Sequence, residues 1–267
     1  MPDTTNVKGL YLSPVRPAPA TARGRVVAIP HSGAGPNALL PLLRRLSADL
    51  DVIGVNLPGR ERRFAEEFAD LPARTAEVVE SIAAELRAAP PMPTVLFGHS
   101  LGASIAIALS LADPDVARAL VLSGHAYDPA RLQDDGAVLT EEELLSVLRL
   151  GTGTPREFLE EPEFRQYILG LLDCDLTLGR RLAHSNALAL DSGRPLPVPV
   201  RVLGGASDQL VDAAALPGWE RFAAAGFSLR TFAGGHFYLL DEEIMDEVAH
   251  EITAAFERRD LAAGVIA

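Results

Sequence analysis

Residues 95–103 read VLFGHSLGA, and the interpretation of this stretch decides the fold. It opens on an apolar, β-prone run, and residues 101–112, LGASIAIALSLA, are apolar nearly all the way round, the pattern of a helix buried on every side. Between strand and helix, Gly98, His99, Ser100, Leu101 and Gly102 match G-x-S-x-G. A strand that turns sharply into a helix holds its central serine in a strained backbone conformation, so small residues must flank it where the two elements nearly touch. Gly98, Gly102 and Ala103 meet that need. In a chain with 22 glycines the bare pattern is common, and Ser100 can be read as a small residue at a turn. The strand before it and the buried helix after it favour a nucleophile, provided that the chain also supplies a base, an acid and an oxyanion pocket.

Short β-branched runs recur at 25–29, 51–56, 94–98, 119–124, 199–205 and 228–234, separated by segments of helical period. Strands alternating with helices predict a mostly parallel sheet covered on both faces. Residues 75–89, TAEVVESIAAELRAA, set Val78, Ile82 and Leu86 against Glu77, Glu80 and Glu85, as an amphipathic helix on the sheet does. One connection breaks the rhythm: about seventy residues separate the strands ending near Gly124 and beginning near Pro199, far more than the usual link. It contains LTEEELLSVLRL, in which Thr140 and Glu143 form a capping box, then GTGTP, and then a long helical pattern from Pro162. This reads as a helical insertion above the sheet. Residues 1–22, with Pro14, Pro17 and Pro19, read as an extended arm, and ordered structure is expected to begin at Arg23.

A serine hydroxyl needs a base to take its proton as it attacks. Of the six histidines, His99 adjoins the serine and should point away from the site, and His250 lies on the last helical pattern. His236 instead follows the last of those strands in FAGGHFYLL, at the carboxyl edge where open α/β folds gather their sites. The acid that orients it should leave the preceding strand at the same edge. Asp208 in VLGGASDQLV does so, with Asp212 as its rival. The order serine, aspartate, histidine is that of α/β-hydrolases. Two backbone donors complete an oxyanion pocket: Leu101, next to the nucleophile, and one from PHSGAG at 30–35, where Ser32 is the first choice and Gly33 the second. That glycine-rich loop lacks the lysine and the spacing of a nucleotide cradle.

The chain has 267 residues, 48% of them hydrophobic and 22% charged, enough for one domain with an insertion. No apolar run nears the roughly 20 residues a membrane helix needs, and the first twenty residues lack a secretion-signal layout. A cytoplasmic protein without membrane contact is expected. Cys174 is the only cysteine, which excludes an intrachain disulfide and a multi-thiolate metal site. The net charge of −12 argues against a nucleic-acid partner.

IPHSGAG (29–35), VNLPGRERRF (55–64), FGHSLGA (97–103), GGASDQLV (204–211) and GGHFYL (234–239) occur in the order and spacing of a known family. From Arg23 to Leu240 the chain resembles the stand-alone type II thioesterases that accompany polyketide and nonribosomal peptide synthases. The resemblance implies an α/β-hydrolase fold with a core at 23–127 and 190–267 and a mobile lid at 128–189 that forms the acyl pocket. It implies hydrolysis of acyl thioesters from the phosphopantetheine arm of acyl or peptidyl carrier proteins, clearing stalled or mis-primed units, with no cofactor or metal. Two positions depart from the family: HSGAG stands where HAGG is common, and His125 where an arginine often follows SG. His31 and His125 are therefore placed with the substrate-binding set, although His125 fits a packed role equally well. Arg60, Arg62 and Arg63, at the catalytic edge, are assigned either to the pantetheine phosphate and acidic carrier surface or to pairing with Glu61, Glu66 and Glu67. In the insertion Phe158, Phe164, Tyr167, Ile168 and Leu171 either line an acyl channel or pack as a helical core. The competing readings are a small-molecule carboxylesterase or lipase with the same triad and a catalytically silent hydrolase-fold binding protein. An integrated release domain is disfavoured, because neither carrier sequence nor a long linker is evident.

Overall fold

The computed structural model describes residues 10–127, 139–150, 159–257 and 264–265. Each predicted strand is present with ends within two residues of expectation: β2 (Gly24–Ile29), β3 (Leu50–Val55), β4 (Thr94–His99), β5 (Ala119–Ser123), β6 (Val200–Gly205) and β7 (Phe227–Phe232). Two short strands extend the set, β1 (Leu12–Pro14) and β8 (Gly264–Val265). The sheet order among the described residues is β1-β3-β2-β4-β5-β6-β7-β8, parallel from β3 to β8 with β1 antiparallel at the edge. The fold is the α/β-hydrolase fold.

The strands are buried on both faces, and side-chain alternation sorts them into two cores. Val27, Ile29, Leu96, Leu120, Leu122 and Val202 face one core, shared with α2 (Thr75–Ala88) and α3 (Leu101–Ala112). Val26, Ala28, Val95, Phe97, Val121 and Leu203 face the other, shared with α1 (Leu40–Leu43) and the last helix, Met245–Ala254. As its composition predicts, α3 is buried at ten of its twelve positions.

Ordered structure starts before Arg23, the residue at which it was expected to begin. β1 pairs with β3, and the Tyr11 and Leu12 N–H groups each donate to the Glu85 carboxylate of α2 at 2.8 Å. Pro14 is tolerated because an edge strand needs no donor on its open side.

Between β5 and β6 lie α4 (Glu141–Leu150) and α5 (Pro162–Asp191). The capping box forms: Thr140 N–H donates to the Glu143 carboxylate at 2.7 Å, and Glu143 N–H donates to Thr140 Oγ at 3.3 Å. Leu144, Leu169 and Leu172 make a small separate core between the two helices. GTGTP and Phe158 lie outside the described residues.

The chain steps from β2 to β3 on one side and then to β4 on the other. The crevice above the carboxyl ends of β2 and β4 is thus a topological switch point, where such sheets bind ligands.

Candidate active site

Ser100 stands at that point with φ 55° and ψ −115°, one of two non-glycine residues with positive φ among those described. The conformation is costly for a residue with a side chain and is enforced by contacts on both sides. A Cβ on Gly98 would lie 2.5 Å from the Ala103 nitrogen, and one on Gly102 2.9 Å from the Pro30 carbonyl oxygen. No larger residue fits at either position while strand, turn and helix keep this approach.

Ser100, Leu101, Ser32 and His236 line one cavity of about 280 Å³. His236 is buried, and its Nδ1 lies 2.8 Å from Asp208 Oδ2. The other Asp208 oxygen accepts the N–H groups of Leu210 and Val211 at 2.8 and 3.0 Å. Burial alone would raise the Asp208 carboxyl, but the hydrogen bond and charge of His236 and these two backbone donors hold it below its ordinary value. An ionised Asp208 only accepts, so a proton sits on His236 Nδ1, which in the neutral imidazole leaves the lone pair on Nε2. Asp212, the rival acid, instead caps the turn beginning at Ala213, accepting the Ala214 N–H at 2.9 Å.

The two alternatives for the second oxyanion donor differ in their surroundings. The Gly33 N–H donates to Asp175 Oδ2 at 2.7 Å, whereas Ser32 borders the cavity beside Leu101. Leu101 is the first residue of α3, so its N–H lies among those a helix leaves without an intrahelical partner.

Of the three arginines, two are buried, and for Arg63 the pairing alternative is the one seen. Arg60 is 4% exposed and grips the fully buried Asp175 with two bonds, 2.5 and 2.9 Å. Arg63 is 3% exposed, pairs with Glu66 at 2.7 Å and lies over the Tyr11 ring at 4.2 Å. Arg62 is exposed and donates to the Leu10 and Leu12 carbonyls at 2.6 and 2.5 Å.

His125 does line the cavity, and its Nε2 shares a 2.8 Å bond with Ser104 Oγ. Burial, with the nearby His236 adding to it, lowers its pKa to about 4. His31 packs edge-on against Phe237 and His99, and burial likewise lowers its pKa to about 4, again with help from His236. Both imidazoles are neutral at pH 7. His99 points away from the cavity, as expected, and joins Ser123 Oγ at 3.0 Å, which in turn meets Tyr238 Oη at 2.7 Å. Its ring still lies 4.8 Å from that of His236, forming a buried backing for it.

The apolar wall of the cavity comes from residues other than those singled out in the sequence. Val147 of α4, Leu176, Gly179 and Ala183 of α5, and Leu210, Val211 and Ala215 form it. Tyr167 packs against Phe64 and Phe68, Leu171 is buried, and Phe164 is 47% exposed.

A serine at a strained turn, a histidine bound to a buried aspartate and a switch-point cavity define a hydrolase-type site. The thioesterase-domain family model matches residues 24–256. The chain belongs to this family and is a serine hydrolase of the thioesterase kind. Among its relatives, the gramicidin S biosynthesis protein GrsT of Aneurinibacillus migulanus is 26% identical, over 84% of this chain and 86% of its own. The thioesterase PikA5 of Streptomyces venezuelae is 30% identical, over 91% and 86%. The solved type II thioesterase BorB from the borrelidin biosynthetic cluster superposes with a TM-score of 0.70 at 28% identity, covering 91% of this chain and 97% of its own. The chain groups with the type II thioesterases of polyketide and nonribosomal peptide pathways. Among the described residues no helix is long and apolar enough to cross a membrane.

Proposed function

We propose that the protein hydrolyses acyl thioesters carried on the phosphopantetheine arm of an acyl or peptidyl carrier protein, removing unproductive acyl units during natural-product assembly. Ser100 Oγ attacks the thioester carbonyl while His236 Nε2 takes its proton and Asp208 stabilises the resulting imidazolium. The N–H groups of Leu101 and Ser32 hold the tetrahedral oxyanion. The carbon–sulfur bond breaks, the pantetheine thiolate takes the proton from His236, and the acyl group remains on Ser100. A water then attacks with His236 again as base, the acid leaves, and Ser100 recovers its proton. The insertion, residues 128–189, serves as the lid that walls the acyl chain, with Leu176, Ala183 and Val147 against it.

The observation that carries this reading is the strained Ser100 sharing one cavity with an Asp208-bound His236. Hydrolysis of matched acyl-carrier, acyl-CoA and nitrophenyl esters tests it. The carrier thioester should give the highest kcat/KM, and Ser100→Ala should lose at least about 10⁴-fold. A preference for the nitrophenyl ester would favour a small-molecule esterase, and full activity in Ser100→Ala would refute the nucleophile.

A further inference from the structure

Arg60 and Asp175 form an ion pair that the hydrolytic steps above do not use. Asp175 sits in the middle of α5, is fully buried, and receives three hydrogen bonds: two from Arg60 and one from the Gly33 N–H. Arg60 also reaches toward the Ala34 carbonyl at 3.4 Å and is fixed to Pro58 O at 3.2 and 3.1 Å. Next to it, Glu61, the other non-glycine residue with positive φ among those described, accepts the Asn37 N–H at 2.9 Å. Residues 33–37 are thus held from outside by side chains of the 58–61 loop and of α5. A charge withdrawn from water is costly unless paired and fully hydrogen-bonded. Stability alone would be served as well by apolar groups of the same shape. The third bond of Asp175 goes to the one loop whose backbone must be aimed at a reacting atom.

We infer that Asp175, held by Arg60, is a positioning residue for the oxyanion pocket: it anchors the Gly33 N–H and thereby sets the direction of the adjacent Ser32 N–H. The inference rests on the proposed roles of Ser100 and Ser32. Leu176, Gly179, Arg180 and Ala183 of the same helix wall the cavity. The helix that walls the cavity therefore also carries the anchor of the donor loop.

Asp175 Oδ2 accepts from both Gly33 N–H and Arg60 Nη1, and Oδ1 from Arg60 Nη2. Asn at position 175 therefore either turns its amide on Arg60 Nη2 or turns it on both Gly33 and Nη1, and in both cases the charge that holds Arg60 is gone. In Asp175→Asn, kcat on a short-chain acyl nitrophenyl ester should fall about 30- to 100-fold, near the lower end of what one oxyanion donor contributes, with KM changed less than about 3-fold. Affinity for a trifluoromethyl ketone bearing the same acyl chain, which forms an oxyanion on Ser100, should fall by the same factor as kcat/KM. Affinity for the free acid product should not change. Arg60→Lys keeps the charge, gives up one bond of the pair and should show the same pattern at roughly a tenth of the loss, which covers the case in which Asp175→Asn does not fold. Wild-type kcat in a folded Asp175→Asn protein, or loss of turnover with unchanged ketone affinity in either variant, overturns the inference while leaving the Ser100 mechanism intact. Full turnover in Ser100→Ala overturns both.

Discussion

On the sheet side of the cavity there is no room for one added methyl group, whereas on the α5 side there nearly is. A Cβ on Gly124 would meet the His99 ring at 2.7 Å, and those on Gly98 and Gly102 would run into backbone. A Cβ on Gly179 would meet only the end of the Leu101 side chain, at 3.3 Å. The first wall is backbone and buried imidazole rings, which cannot yield without moving a strand or the His99–His236 pair. The second is side-chain tips, which repack. Chemistry is thus set by the wall that cannot change, and acyl preference by the wall that can.

The firmest way to break this contrast is Asp208→Asn. The variant keeps the shape but lets the His236 imidazole adopt the wrong tautomer, and kcat should fall about 10⁴-fold with little change in KM. A loss expressed mainly in KM would mean that the sheet-side wall is doing binding work instead.

A second test concerns two neutral imidazoles near the site, His125 on the cavity wall and His31 packed against His99 and Phe237. His31 and His125 titrate near 4 when folded and about 6.5 when unfolded. Between these values the unfolded chain binds the more protons, so the stability is present above about pH 6.5 and is lost as pH falls toward 4. Each histidine should cost about 2 kcal/mol between pH 6.5 and 5. Asp208 acts in a lower window: its folded pKa is depressed, so its contribution holds above about 3.9 and disappears as pH falls through the folded value. Denaturation midpoints measured across pH 4.5–7 should show a shallower slope for His125→Gln than for the wild type.

On the side that repacks, Ala183→Phe should shorten the accepted acyl chain. An added ring fills much of a cavity of about 280 Å³, so kcat/KM for an octanoyl thioester should fall about 10-fold while that for acetyl changes less than about 2-fold, as one or two displaced methylenes imply. Equal losses for both would show that the two walls are coupled throughout. The smallest effect belongs to the outer margin, where Arg62 alone of the three arginines remains at the surface. Arg62→Glu should raise KM for a carrier-bound substrate about 3-fold and leave small thioesters unaffected, as loss of a rim charge does. Equal effects on both would discard the carrier contact.

The parts of the molecule legible in the sequence were those that depend on neighbours along the chain. Each β-branched run declares its own period, and Ser100, Asp208 and His236 each follow a strand within a few residues, so strand order alone brings them to one edge. The burial of Arg60 was hidden for the opposite reason. A run of cations looks solvated until a buried partner is found, and Asp175 lies 115 residues away. The signal available was the carboxylate itself, set in the apolar helical run LLDCDLTL. Periodicity also could not tell that Leu176 and Ala183, rather than Ile168 or Leu171, reach the cavity. β1 escaped because three residues ending in proline carry no strand pattern.

That three-residue strand bears on how copies of this protein treat one another. Without β1, the flank of β3 would display a row of open peptide groups, and such flanks recruit strands from neighbouring molecules. With it, the outermost strand is brief and closes on Pro14, which offers a visiting strand little to pair with. Among the described residues, Leu12–Pro14 therefore blunts this margin of the sheet against edge-to-edge pairing.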